Sequence, residues 1–377
     1  LYELHPLVRQ FVRSEFPHSE RRHFIKLLSA SYQEFVVLIR DQTDRNFLLA
    51  IDKFECAAMS IELEMQAKNY DRAVEIANEI RDAFLWRGLG EEYLRVCGEI
   101  IELINWSNDS LVSNSEFHQF VRDLIEVMGD YGRKSAAQDI IEKYNRFALK
   151  GTTVYLAWCK TLCHYNWLTK DYKNAIKWGE EGARLKRESD IDTDIDHLHS
   201  LNLAKRDIGQ INEALVFFSQ GQNVDEILVT DQKQRENNAP FFGNIGRCVH
   251  LLGNAEKALQ FYIRSAKILG REQKNAENLM NLGWASLWIG QACIDLQDWE
   301  NARLFLSQCL DIWQKRAPLQ LELFMEQKMR FPDHFVFSPL EHQELTHEKC
   351  RKQIEEWQKS PNQPINSDGK NVCGLAV

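Results

Sequence analysis

The sequence predicts an all-α protein, arranged as a superhelical array of antiparallel helix pairs, and three observations support this fold class. No proline occurs between Pro17 and Pro240, so helices can continue through that stretch without interruption. Apolar residues recur there at helical spacing, whereas the strict alternation of a β-strand is scarce. A short turn followed by an alanine also recurs along the chain, at an interval typical of helical repeats.

We call this recurring turn the elbow; it consists of a few polar residues or glycine, and an alanine follows it in the first turn of the next helix. The best copies place their alanines roughly 39, 44 and 44 residues apart, at Ala175, Ala214, Ala258 and Ala302. Weaker copies precede Ala73 and Ala137, about 64 residues apart, which leaves the number of repeats between them open. One helix pair cannot bury its apolar face alone, so the pattern predicts that neighbouring pairs stack.

The N-terminal elements are less regular than the later ones. Two short amphipathic segments are expected within residues 1–40. A long helix is expected from Thr43 to Ala67, and it is followed by helices around 89–105, 116–129 and 132–149.

From 152 to 316 the pattern predicts a helix, an elbow and a second helix four times over. The first helix of a pair carries a small residue that should face its partner and let the two axes approach closely, such as Cys163, Gly246 or Gly290. After Arg316 the pattern ends, and a charged helix over Leu340–Lys359 is expected to cap the last repeat. These expectations divide the chain into 1–40, divergent repeats over 41–150, regular repeats over 151–316, a cap over 317–359 and a disordered tail over 360–377.

Charge and cysteine usage narrow the class of protein. The formal net charge is −9 and the basic residues are mixed with acidic ones, which argues against a nucleic-acid groove. No run of about 18 apolar residues appears, so no membrane span is predicted. Nine cysteines at irregular spacing indicate reduced thiols and a cytoplasmic chain. Because the chain starts at Leu1, inside an amphipathic segment, we expect it to be part of a larger protein.

The elbow and the helix before it resemble tetratricopeptide repeats (TPR). The closest local matches are Leu201–Gly209 and Ile245–Gly253. The resemblance covers residues 150–315 well and 43–150 loosely, and the spacing is longer than the 34 residues of that family. It implies a TPR-like α-solenoid that binds a protein or peptide.

The segment Leu4–Val12 resembles the end of the winged-helix domain of STAND-class (NLR-like) signalling ATPases. That resemblance implies an upstream nucleotide-binding domain in cis, with ATP or ADP bound in the parent protein and His5 contacting the ADP phosphate. No phosphate-binding glycine loop is present in this chain, so we expect no ATP hydrolysis and no cofactor here. The implied role is a sensing arm that binds a trigger in bacterial antiviral defence or stress signalling, with oligomers forming only in the activated full-length protein.

The candidate binding surface is the groove formed by the first helices of the pairs. By helical spacing we expect its polar members to be exposed: Lys160, His164, His199, Arg206, Asn244, Arg247, His250 and Gln291. Trp284 and Trp288 lie one turn apart on the last of these helices, and Trp and Arg commonly anchor protein interfaces. The alternative is that the two tryptophans belong to the core between repeats and that Arg206 only pairs with a neighbouring acid.

Catalytic and metal sites are weakly indicated. Asp190, Asp192, Asp194 and Asp196 resemble the start of a calcium loop, but Leu201 stands where a ligating Glu is needed, so helix capping is expected instead. Neither the pair His197 and His199 nor the group His164, Cys159 and Cys163 has a metal-ligand motif around it. Two other functions stay open: a scaffold that docks a partner constitutively, and the inducer-binding arm of a transcription activator.

Overall fold

The computed structural model describes residues 36–37, 51–106, 114–188, 195–229, 238–271, 276–339 and 343–359. In this part the chain is all-helical, with sixteen α-helices, one short 3-10 turn and no strand. None of these helices is long and apolar enough to cross a membrane. His5, nearly all of the predicted 1–40 segment, the tail over 360–377 and the aspartates at 190, 192 and 194 lie outside the described residues.

The chain divides into two compact units, Leu1–Leu124 and Ile125–Val377. This division falls inside the stretch 41–150, which the sequence pattern treats as one group of divergent repeats. The helices of the first unit are α1 (Ile51–Gln66), α2 (Tyr70–Arg87) and α3 (Gly90–Leu103), followed by the start of α4 (Ser115–Asp130). Helix α1 packs on both α2 and α3, and the Phe54 and Phe84 rings meet edge to face at 5.1 Å.

The second unit contains the four predicted helix pairs. They are α6 (Thr153–Leu168) with α7 (Tyr172–Glu188), α8 (Leu198–Asp207) with α9 (Ile211–Ser219), α11 (Ala239–Leu251) with α12 (Ala255–Arg271), and α13 (Ala276–Asp295) with α14 (Trp299–Arg316). Each second helix packs on its own partner, and α7, α9 and α12 also pack on the first helix of the next pair. The first helices also touch one another, α6 with α8 and α11 with α13.

Four further helices complete this unit. They are α5 (Lys134–Tyr144), α10 (Val224–Val229), α15 (Leu321–Lys328) and α16 (Gln343–Lys359), with a 3-10 turn at Pro318–Gln320 before α15. The prediction of a helix over 132–149 was too long, because α5 ends at Tyr144. The next residue, Asn145, accepts a hydrogen bond from Trp158 Nε1 at 2.8 Å. Helix α10 was not predicted.

The elbows share one backbone geometry. In each elbow, a residue with left-handed φ donates its N–H to the carbonyl three positions before it. The residue after it donates its N–H to the carbonyl five positions before itself, as in Gly253 to His250 and Asn254 to Val249. The alanine follows five residues after the left-handed position. The left-handed residues are Lys68, Gly132, Lys170, Gly209, Gly253 and Gln297, and the alanines are Ala73, Ala137, Ala175, Ala214, Ala258 and Ala302, each 0% exposed. The local turn therefore fixes which face of the second helix is buried.

The same pair of hydrogen bonds also occurs in a turn inside the irregular interval between Ala73 and Ala137. Gly88 has a φ of 83°, its N–H donates to the Leu85 carbonyl, and the Leu89 N–H donates to the Phe84 carbonyl. The buried side chain of Tyr93 stands where the other elbows have alanine. The larger residue hides this turn from a search for the alanine.

The predicted small residues do face their partner helices. A Cβ on Gly246 would lie 2.8 Å from the Tyr262 ring, and one on Gly290 would lie 2.7 Å from Leu306 Cγ. Cys163 Sγ lies against Gly179 in the same way. At the C-terminal end, α16 packs on α12 and α14, and Trp357 stacks on Phe305 with ring centroids 5.5 Å apart.

Candidate functional site

A cleft of about 270 Å³ lies among the first helices of the second unit. Its walls come from the C-terminal ends of α6 and α8, from α11 and α13, and from the segment that follows α14. The aromatic and polar lining residues include Trp167, Arg206, Asp207, Arg247, Trp284, Trp288, Gln291 and Gln320. Three tryptophans and several leucines make the lining predominantly apolar, with a few polar groups among them.

The tryptophans of the cleft form one continuous cluster. The ring centroids of Trp167 and Trp284 are 5.7 Å apart, and so are those of Trp284 and Trp288. Trp313 supports the cluster from beneath, edge to face against Trp284 at 4.9 Å. Trp284 is half-buried, and within the described residues the indole N–H groups of Trp284 and Trp288 have no acceptor. The cleft therefore offers a continuous aromatic surface.

The guanidinium of Arg206 is committed to its neighbours. It donates from Nε to Asp207 Oδ1 at 2.7 Å, from Nη2 to Oδ2 at 3.1 Å, and from Nη1 to Asn244 Oδ1 at 3.0 Å. Trp167 Nε1 adds a third donor to the Asp207 carboxylate at 2.8 Å. Arg206 and Asp207 thus form a saturated, neutral pair in the wall of the cleft.

Arg247 differs from Arg206 in having no acidic partner in the described chain. It is half-buried, and it donates from Nη1 to Gln291 Oε1 at 2.7 Å. The effect of its charge reaches His250, whose pKa is lowered by burial and by Arg247, although the hydrogen bond to Asp295 acts in the other direction. Arg247 is therefore a cation in a partly desolvated position without a counter-charge.

Gln320 enters the cleft from outside the helix pairs. It belongs to the turn Pro318–Gln320, its side chain is only 3% exposed, and its Nε2 has no hydrogen-bond partner within the described residues. Packing of Leu319 against Gly132 and the hydrogen bond from the Tyr131 hydroxyl to the Lys315 carbonyl at 2.7 Å hold the neighbouring backbone. The amide is thus a buried donor fixed in the wall of the cleft.

The predicted groove residues divide into three sets. Five of them line the cleft: Arg206, Arg247, Trp284, Trp288 and Gln291. Asn244 lies behind it against Arg206, and His250 pairs with Asp295 at 2.6 Å beside Tyr262. Lys160, His164 and His199 do not line it.

The expectation that the polar groove residues are exposed was wrong for three of them. Arg206, Asn244 and Gln291 are at most 7% exposed, because the first helices of adjacent pairs cover the faces that helical spacing alone assigns to solvent. Trp288 is 8% exposed, in agreement with the alternative that it belongs to the core between repeats. Lys160 is exposed as expected, and the remaining members are half-buried.

The histidine and cysteine candidates are placed in packed surroundings. Burial lowers the pKa of His164 and of His199 to about 4, so both rings are neutral at pH 7. Burial likewise raises the pKa of Cys159 and of Cys163 to about 12. Among the described residues, no three His, Cys, Asp or Glu side chains come together as a metal site would require. As expected, Asp196 caps a helix, since its Oδ1 accepts from the first N–H groups of α8.

Sequence reasoning missed Trp167, Asp207 and Gln320. Trp167 had a detectable signal, because it stands three residues before the left-handed elbow residue, as Arg206 and His250 do in later pairs. Gln320 had none, since it lies beyond the end of the repeat pattern.

No family model matches this chain, and no curated protein matches it significantly. The resemblances to tetratricopeptide repeats and to STAND ATPases therefore rest on the segments Leu201–Gly209, Ile245–Gly253 and Leu4–Val12 alone.

Proposed function

We propose that this protein is a non-catalytic binding module, a TPR-like α-solenoid whose second unit recognises a protein or peptide trigger. The observation that carries this proposal is the cleft, which collects side chains from four successive helix pairs into one apolar, tryptophan-lined site. Trp and Arg dominate the energetics of protein interfaces when they sit in such pockets. The regular elbows serve this function by holding the first helices side by side.

The size of the cleft suits one anchoring group of a partner. Its volume of about 270 Å³ lies just below the roughly 300–1,000 Å³ of pockets for drug-sized molecules. A single large side chain, or a ligand of that size, fills such a space, and the rest of a partner segment would lie along the adjoining helices. The half-buried Trp284 is the central contact surface in this proposal.

The second part of the proposal is a sensing role in a larger cytoplasmic protein. The segment around His5 supports it by its resemblance to STAND ATPases, whose bound nucleotide keeps the resting state. A trigger that binds the open state more tightly than the closed state shifts the equilibrium towards activation. The test uses the longer protein with its upstream domain: ATP turnover and oligomer size should rise with trigger, and a parent without a phosphate-binding loop would refute this part.

The binding function is tested by selecting short random peptides against the purified chain. Enriched peptides should share a large apolar residue, and Trp284→Leu should weaken their binding about tenfold or more, as expected of a hot spot. Trp178→Leu is the matched control, since Trp178 is half-buried on α7, away from the cleft. Absence of enrichment, or equal binding to the Trp284 and Trp178 variants, would reject the cleft as the docking site.

A further inference from the structure

The segment that follows α14 closes one side of the cleft, and we call residues 318–330 the strap. It consists of the turn Pro318–Gln320, the helix α15 and the two residues after that helix. Gln320 and Leu323 line the cleft, and α15 packs on α13 and α14. The strap is thus a wall of the cleft that belongs to none of the four helix pairs.

The first end of the strap is held by close packing. Leu319 lies against Gly132 in the elbow before α5, and its Cδ1 would be 3.4 Å from a Cβ on that glycine. Just before the strap, the Lys315 carbonyl accepts a hydrogen bond from the hydroxyl of Tyr131 at 2.7 Å. The ring of Pro318 further restricts the backbone at this point. This end of the strap therefore has a fixed position on the array.

Two exposed ion pairs connect the remainder of the strap to the array. Glu322 pairs at 3.0 Å with Lys170, which lies in the elbow between α6 and α7, and Arg330 pairs with Asp295 at the end of α13. All four residues are exposed to solvent. Ion pairs of this kind contribute little to stability, because water and salt screen them. The strap is therefore anchored firmly at its first end, and its polar contacts beyond that end are weak.

Gln320 makes the closed position of the strap less favourable. Its side-chain Nε2 is fully enclosed, and it has no acceptor within the described residues. A buried donor without an acceptor is costly, and water cannot reach this one while the strap lies on the cleft. When α15 tilts away, Gln320 at its start regains hydrogen bonds with water. The closed position thus contains an unfavourable interaction that opening removes.

We propose that the strap is an autoinhibitory lid, which opens when α15 tilts about the turn Pro318–Gln320 and then gives a partner access to Trp284 and Trp288. The inference rests on the proposed binding function and adds its regulation. With the strap in place, the cleft of about 270 Å³ holds one anchoring group. A partner segment that covers more of the tryptophan surface displaces the strap, because it binds the open position more tightly than the closed one.

Hydrogen–deuterium exchange of the whole chain, followed by mass spectrometry, measures how often the strap opens. A helix of eight residues is not stable by itself, so the amides of α15 exchange whenever the strap leaves the cleft. Glu322→Lys places a lysine opposite Lys170 and should speed this exchange about fivefold. Gln320→Leu keeps the approximate shape of the side chain, removes the buried donor and should slow the exchange about fivefold or more.

Matched controls separate opening of the strap from a general loss of stability. The charge swap that combines Lys170→Glu with Glu322→Lys should restore the original exchange of α15. Glu213 is also exposed and pairs with Lys205 at 3.2 Å, so Glu213→Lys should leave the exchange of α15 unchanged. Exchange in α12, which does not line the cleft, should be the same in all variants. Unchanged exchange of α15 in both Glu322→Lys and Gln320→Leu would overturn the inference.

The peptides selected against the chain in the previous experiment give a second readout. When the closed position dominates, the affinity of a partner is proportional to the open fraction. Glu322→Lys should therefore bind these peptides about fivefold more tightly, and Gln320→Leu about fivefold more weakly. Equal affinities of the two variants, or a bound peptide that slows the exchange of α15, would overturn the inference while leaving the proposed function intact. If no peptide is enriched, the proposed function fails, and the exchange of the variants still decides whether the strap opens.

Discussion

The contact between Gly283 and Trp313 leads to a sharp prediction about the stability of the second unit. A Cβ on Gly283 would lie 2.4 Å from Trp313 Nε1, 2.8 Å from Cδ1 and 3.2 Å from Cε2. The indole is fully buried and packs edge to face on Trp284, so it has no room to retreat. Gly283→Ala should therefore overpack the seam between α13 and α14.

Two opposing free-energy terms determine how much Gly283→Ala changes the stability of the protein. Replacing a glycine inside a helix by alanine stabilises the helix by about 1 kcal/mol. Overpacking of a well-filled core costs typically about 1–3 kcal/mol, and a clash with an immobile ring belongs at the upper end. The expected net effect is a loss of about 1–2 kcal/mol, which lowers the melting temperature by roughly 2–8 °C for a unit of this size.

Gly270 provides the matched control, because it lies inside α12 and a Cβ there would meet nothing within 4 Å. Gly270→Ala should stabilise the protein by about 0.5–1 kcal/mol. Thermal and urea unfolding followed by circular dichroism compares the two variants directly. A Gly283→Ala protein as stable as Gly270→Ala would refute the argument that the tryptophan fixes the spacing of these helices.

Three more predictions concern other parts of the fold. The pKa values of His164 and His199 lie near 4 in the folded protein and at about 6.5 in the unfolded chain, so protons favour unfolding as the pH falls from 6.5 to 4, by up to about 3 kcal/mol per histidine. The urea midpoint should therefore be lower at pH 5 than at pH 7, and this difference should shrink when both histidines become glutamine; an unchanged difference would contradict the prediction. Gln297→Gly should raise the free energy of unfolding by about 0.5–1 kcal/mol, because Gln297 has a φ of 59° that glycine adopts without strain. Gly253→Ala at the equivalent position of another elbow should lower the free energy of unfolding by about 1 kcal/mol. If both variants changed the stability in the same direction, the shared elbow geometry would be contradicted. Arg206→Met should cost about 2–4 kcal/mol in urea unfolding because a largely buried carboxylate loses its partner, and a loss below about 0.5 kcal/mol would show that the pair is dispensable.

The local part of the fold was predictable because its determinants lie within a few residues of one another. Six elbows combine a left-handed residue with an alanine five positions later, and both can be seen in segments such as Gly253–Ala258. The glycine that faces the partner helix, as at Gly246, follows from the same local reasoning. A bulky residue in the place of the alanine, as at Tyr93, was enough to conceal a turn of the same geometry.

The candidate site was only partly predictable, because its geometry depends on contacts between distant residues. Helical spacing placed Arg247 and Trp288 on the correct face, but it could not show that the neighbouring pair covers that face. Arg206 meets Asn244 across 38 positions of sequence, and no local pattern encodes that contact. Gln320 reaches the cleft from beyond the repeats, where periodicity carries no information.

In every elbow the buried alanine follows the left-handed residue by five positions, and this constant separation restricts where the chain can gain or lose residues. One residue added within an elbow would rotate the following helix by about 100° about its axis, and the alanine would leave the seam. The connections between one pair and the next carry no such constraint, and together with the length of the first helices they set the spacing of about 39 to 44 residues. Variation in length among proteins built in this way should therefore be confined to the first helices and to every second connection, and loops added in those connections would change the surface of the protein without moving the elbows.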